Sequence, residues 1–316
     1  MTVRLASGEL ATQILADPRF AASPYGARHA RLGERLGLDF SAILFTLDHV
    51  PLAMNGEDHA RQRADVARFL AESRGAVDQV IPVLAERAAA VLGQPGTHDL
   101  IGRLILPMVH DLIGAIVGLP LDLAADSLTS RIFSQNIGIA QRRRLQAELT
   151  DLRGRFEAAF PQDDDLRLGT RLAMIVLGRD ALIGTLGQSL VHFLREAQGQ
   201  PLSSVDMAVP PSHTGVPYID RQATCPMHLG GMDIAAEDTL RCDLASLNGG
   251  TRAERLRFFG AGMHLCLGRA LTLDLFGALA AALKALPVRA EVLAYELRDD
   301  DVFHFPARFE VRISNG

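Results

Sequence analysis

The stretch Phe259-Gly260-Ala261-Gly262-Met263-His264-Leu265-Cys266-Leu267-Gly268 decides how this chain is read. Gly260 and Gly262 free the backbone to turn tightly and to lie close against a flat partner. Cys266 stands at the mouth of an apolar segment, Leu267 to Leu286, that reads as a helix. The unpaired N–H groups of a helix N-terminus favour a negative sulfur. His264, two residues earlier, puts a basic side chain within reach of a carboxylate on the same partner. The plainer alternative is a small core cysteine behind a glycine turn.

Working outward, the chain has 316 residues and is 48% hydrophobic, ample for a core. Few linker-like segments interrupt it, so one domain over 1–316 is expected. A net charge of −5 argues against a nucleic-acid binder. Cys225, Cys242 and Cys266 are odd in number and lack Cys-x-x-Cys spacing, which disfavours a disulfide framework and a zinc site. The opening Met1-Thr2-Val3-Arg4-Leu5 has no long apolar core of a secretory signal. Leu104–Pro120 is interrupted by Pro107, His110 and Asp111, so no membrane span is expected. The chain reads as cytoplasmic.

The first two-thirds is helical in pattern. Helices are expected at Gly8–Leu15, Asp58–Leu70, Ala76–Leu92 and Asp99–Val117, with breakers at Gly93-Gln94-Pro95-Gly96 and Gly118-Leu119-Pro120. Between the first two lie a Pro/Gly-containing loop and a polar-apolar stretch to about Gly56. Leu123–Phe160 should hold two helices, with Arg142-Arg143-Arg144 on a solvated face. Asp163-Asp164-Asp165 opens the longest helix, reaching Glu196, apolar enough to cross the interior. Gln198–Asp220 is irregular, Gln222–Leu247 reads as short strands turning at Gly230-Gly231, and Val288–Ile313 as closing strands. The fold class is therefore mainly α with small β-sheets.

The cysteine loop resembles that of the cytochrome P450 haem-thiolate family at every defining position, and other segments follow in the family's order. The resemblance implies haem b, with Cys266 as axial ligand and Phe259, Gly260, His264 and Gly268 shaping its bed. His59 and Arg63 lie four apart on one helical face and resemble the family's His-x-x-x-Arg pair for a haem propionate. Arg221 is similar to the strand arginine that meets the other propionate. Leu177-Gly178-Arg179-Asp180-Ala181 falls where the family carries Gly, any residue, an acid and Thr, the last two relaying protons. Here Asp180 keeps the acid, expected to serve catalysis, while Ala181 replaces the alcohol. Arg179 is unusual on an apolar helix and is expected to anchor a substrate carboxylate, to snorkel to the surface or to pair with a nearby acid.

The resembled fold is shortened in this chain. Counterparts of its first helix and strand are not expected here, the segment Asn248–Arg257 is brief, and no helix bearing Glu-x-x-Arg is expected between Leu194 and Arg221. The literal match Glu254-Arg255-Leu256-Arg257 reads as coincidence. The expected function is a haem-thiolate oxidoreductase, monooxygenase- or peroxygenase-like or a non-oxygenating haem enzyme, acting on a small, largely apolar organic molecule. The alternatives are a non-catalytic helper that binds a partner enzyme, or a haem-based sensor. Arg252, Arg255, Arg257 and Arg269 cluster around the loop, where an acidic ferredoxin-like electron donor would dock. Pairing into an oligomer stays open.

Overall fold

Residues 165–196 carry apolar or small side chains through almost every turn, so a helix there must cross the interior. The computed structural model describes residues 3–134, 136–298 and 300–316 and wraps them around that helix. Met1 and Thr2 of the opening segment lie outside the described residues. In chain order the elements are β1 (Val3–Ser7), α1 (Gly8–Ala16), β2 (Phe20–Ala22), α2 (Tyr25–Leu36), α3 (Ser41–Leu47), α4 (Gly56–Gly93), β3 (Gly96–Asp99), α5 (Leu106–Val117), α6 (Ile139–Ala159) and α7 (Asp165–Glu196). There follow β4 (Tyr218–Ala223), β5 (Met227–Leu229), β6 (Met232–Ile234), β7 (Thr239–Asp243), α8 (Arg252–Leu256), α9 (Arg269–Lys284), β8 (Val288–Leu297) and β9 (Pro306–Asn315). This is the mainly α architecture with small sheets that was expected.

Asp164 caps α7 by accepting from the Arg167 N–H at 2.8 Å. The helix is long and apolar enough to cross a bilayer, but 72% of its most apolar window is buried within the fold, so that apolarity serves the core. The helices α4 and α5 pack together, α4 also meets α9, and α5 meets α7. A smaller core under α1 is closed by a four-stranded sheet of order β1-β7-β4-β2. In that sheet Arg221 stands opposite Ala22 on one side and Leu240 on the other. The Gly230-Gly231 turn joins β5 to β6 with both residues at positive φ, as a tight hairpin requires. The strands β8 and β9 form a second sheet with β3.

Five local expectations need correction. Asp58–Leu70 and Ala76–Leu92 are one helix, α4, because only Gly75 interrupts good helix formers between them. The loop and polar-apolar stretch expected after α1 contain two helices, α2 and α3. In α2 only His29 and Gly33 are buried, so no apolar stripe announced it. Leu123–Phe160 contributes one 3-10 turn, Thr129–Phe133, and one long helix, α6. Arg142 is not solvated: it is buried against His29, to which its Nη1 donates at 2.9 Å. The start of the expected Asp99–Val117 helix is also modified, with a wide turn over Ile101–Ile105 and Pro107 at its join to α5.

Candidate functional site

The cysteine loop is shaped by its two glycines. Gly260, at φ 76°, ends the 3-10 turn Arg257–Phe259. Gly262, at φ 62°, presses so closely on α1 that a Cβ there would lie 2.8 Å from Ala16 Cα. The Cys266 N–H then donates to Phe259 O at 2.8 Å and closes the loop. From α4, Arg63 Nη2 donates to Leu265 O at 2.6 Å. Between α7 and β4 the only helical piece is the 3-10 turn Leu202–Ser204. Glu254 caps α8 through Thr251, while Arg257 pairs with Glu9 of α1 at 2.9 Å, so these two do not brace one another. The loop is supported by α1 and α4.

Phe259, His264, Cys266 and Gly268 line one cavity of about 310 Å³, together with Arg63. The Cys266 thiol opens onto this cavity but is enclosed by protein, and burial raises its pKa. Hydrogen bonds from the Gly268 and Arg269 N–H groups and the Arg63 charge pull the other way. That set of donors suits a thiolate once a cation offsets the burial. His59 and His264 lie with ring centroids 4.1 Å apart. Burial is the main cause that lowers both pKa values, with Arg63 and Arg221 adding repulsion; His264 falls to about 3. Arg221 is 2% exposed, and its pKa is also lowered by burial. Two buried donors here have no partner among the described residues, His59 Nε2 and Arg221 Nη2.

The cavity's other wall comes from α7 through Leu177, Gly178, Ala181, Leu182 and Thr185. Arg179 and Asp180 do not line it. Arg179 is fully buried, with Nη1 donating to Asp180 at 2.5 Å, Nε to His110 Nε2 at 3.2 Å and Nη2 to Ala124 O at 2.7 Å. Asp180 also accepts from the Ser130 hydroxyl and from Arg298 Nη2 at 3.2 Å. The expectation of a substrate anchor at Arg179 is corrected: its helix face turns to the protein, and pairing with the adjacent acid holds it there. Asp180 likewise has no direct access to the cavity. His110 must be neutral to accept from Arg179, and burial, followed by the Arg179 charge, lowers its pKa to about 4.

Several cavity residues were missed. Thr185, one turn beyond Ala181, donates to Ala181 O at 2.7 Å and accepts from the Gly215 N–H at 2.9 Å. Its spacing from Ala181 was readable in the sequence, but nothing marked it as facing the cavity. Tyr25, Tyr218 and Asp301 come from α2, β4 and the β8–β9 turn, and only the tertiary fold brings them together.

Neither the available family models nor the curated proteins match this sequence. Solved structures do. The P450 monooxygenase TamI, bound to tirandamycin C, is 22% identical, with TM-score 0.72 over 98% of this chain and 89% of that one. P450BioI, in complex with hexadec-9Z-enoic acid ligated acyl carrier protein, is 15% identical, with TM-score 0.73 over 96% of this chain and 90% of that one. This chain has the cytochrome P450 fold. A thermophilic cytochrome P450 from Sulfolobus tokodaii aligns similarly, at 19% identity and TM-score 0.71 over 98% and 93% of the two chains.

In this P450-like fold the residues present fit a haem. Two orphaned donors in a cluster of four basic side chains call for a buried anion, and haem carries two carboxylates. The thiol beside them, with N–H groups directed at its sulfur, supplies the ligand that such a group needs.

Proposed function

We propose that residues 1–316 form a single haem-binding domain, a haem-thiolate oxidoreductase for a small, largely apolar organic molecule. The observation that carries this reading is the cavity that Cys266 lines with Arg63 and His264, next to which His59 and Arg221 bring two nitrogens without partners among the described residues. Cys266 would hold the iron, while His59, Arg63, Arg221 and His264 would pair with the propionates. Leu177, Ala181 and Leu182 would exclude water and orient an apolar substrate. The chemistry supplied by bound haem is activation of oxygen or peroxide, favoured by electron donation from a thiolate.

The α7 wall supports peroxide over dioxygen as the oxidant. Dioxygen needs two electrons and two protons from outside, and this wall has little means of delivering protons: Asp180 is tied away from the cavity and the Thr185 hydroxyl is engaged with backbone at both ends. Hydrogen peroxide already carries those electrons and protons. A ferredoxin-like donor remains the partner for the oxygen-using form. Its docking arginines are reduced in number, since Arg257 pairs with Glu9 and Arg255 donates to Gly250 O. A purely non-catalytic helper would not need unpartnered basic donors around a cysteine.

The test is the absorption spectrum of haem-supplied protein, reduced and exposed to carbon monoxide, beside Cys266→Ala. A strongly red-shifted Soret band that the substitution abolishes is expected. A spectrum indifferent to Cys266 would overturn the reading. Product formation driven by peroxide but not by ferredoxin and oxygen would then support the peroxide form.

A further inference from the structure

The cavity wall that a substrate would meet is mostly apolar, and its carboxylates are Asp220 and Asp301. Asp301, on the turn between β8 and β9, lines the cavity beside Val302 and Phe303. The Tyr218 hydroxyl donates to its backbone carbonyl and fixes the turn. Arg131 Nη1 donates to Oδ1 at 2.9 Å, and the single Ser134 hydroxyl proton is shared between Oδ1 and Oδ2, at 2.7 and 2.8 Å. Beyond that shared proton, the one donor to Oδ2 among the described residues is the Asn136 N–H, at a long 3.4 Å. A carboxylate has about four acceptor sites, so Oδ2 retains capacity. The side chain is 23% exposed.

Resting on the haem-thiolate reading, we propose that Asp301 is a specificity-determining residue whose Oδ2 accepts a hydrogen bond from a hydroxyl on an otherwise apolar substrate. Other polar groups of this wall are engaged: Thr185 and Thr214 use their hydroxyls both ways, Thr272 donates to Gly268 O, Asp220 pairs with Arg241, and Tyr218 uses its proton on Asp301. A neutral hydroxyl suits the site better than a cation, because Arg131 already answers the charge of Asp301 and Arg298 that of Asp300. A substrate carboxylate in the same position would be repelled. A site built to accept from a hydroxyl discriminates against an analogue that cannot donate, because its own acceptor then loses its partner.

The experiment uses the full chain loaded with haem and calorimetric titration with cyclododecanol and cyclododecanone, which share a skeleton but differ in the ability to donate. The alcohol is expected to bind about tenfold tighter than the ketone, the strength of one hydrogen bond to a charged acceptor. In Asp301→Asn the preference should shrink to within about threefold, because the carboxamide can donate to the ketone. Equal binding of the two probes to the unmodified protein, or no binding of either at millimolar concentration, overturns the proposal. So does an unchanged preference in a folded Asp301→Asn. Should that variant not fold, the ratio in the unmodified protein decides alone. The carbon monoxide spectrum of the same sample reports the haem-thiolate reading separately, so failure of one is distinguishable from failure of the other.

Discussion

The cysteine loop and the middle of α7 both carry charged side chains next to one cavity, yet they use them oppositely. Around the loop, basic groups from α4, β4 and the loop itself converge and leave donors unanswered. On α7, Arg179 and Asp180 are saturated by one another and by His110, Ser130, Ala124 and Arg298. The difference teaches that unsatisfied buried charge, rather than charge alone, marks where a ligand belongs. A saturated buried network holds elements together, here α7, α5 and the Arg298 segment.

The largest effect is expected at the loop. Cys266→Ala should remove the thiolate signature entirely while leaving the fold, since Cys266 opens onto a cavity rather than filling the core. Circular dichroism with the carbon monoxide spectrum reads both. On α7 the equivalent blow falls on stability. Asp180→Ala removes the carboxylate paired with Arg179, and removal of one partner from a buried pair costs about 3–5 kcal/mol. Denaturant unfolding of haem-free protein measures this. A change below about 1 kcal/mol would mean the network is not structural.

Arg221 sharpens the comparison because its two effects have opposite signs. In haem-free protein it is a buried cation with an unpartnered donor, so Arg221→Met should leave stability unchanged or raise it by about 1 kcal/mol. The same change removes a charge-assisted bond to a propionate and should weaken haem uptake by about ten- to a hundredfold. Haem titration followed at the Soret band, beside thermal unfolding without haem, separates the two. If stability and haem affinity fall together, Arg221 is a structural residue and the contrast between the regions collapses.

The sequence made the loop legible because ligand chemistry restricts residue types over a short span: glycine where φ must be positive, cysteine beside helix N–H groups, a basic side chain two positions away. The longer-range members, His59, Arg63 and Arg221, were readable only through resemblance, since a His-x-x-x-Arg spacing is common on any helix. The direction in which Arg179 and Asp180 point was not legible. A helix buried on nearly all sides has no apolar stripe to orient it, and the long-range partners lie 50 and 118 positions from Asp180 and 55 and 69 from Arg179. Asp301 was hidden for the same reason: it sits in a polar turn, and only the Tyr218 and Ser134 contacts bring it to the cavity.

The smallest effect concerns pH and tests the α7 network from its neutral member. The His110 pKa is lowered from its ordinary 6.5 to about 4 in the fold, first by burial and then by Arg179. Above about pH 6.5 the histidine is neutral in both folded and unfolded chains and contributes no pH dependence. As pH falls from there towards 4, the unfolded chain takes up a proton that the folded one refuses, so stability is lost. The slope attributable to His110 approaches about 1.4 kcal/mol per pH unit at most. His110→Gln retains an acceptor for Arg179 Nε but cannot protonate. It should therefore match the unmodified protein near neutral pH and lose stability less steeply on acidification. A residual slope should persist, because His29 and His213 are also held to about 4 by burial. Denaturant unfolding of haem-free protein at several pH values between these limits measures the difference. Identical slopes would show that His110 is not the neutral partner of Arg179, and that α7 holds its buried charges by some other arrangement.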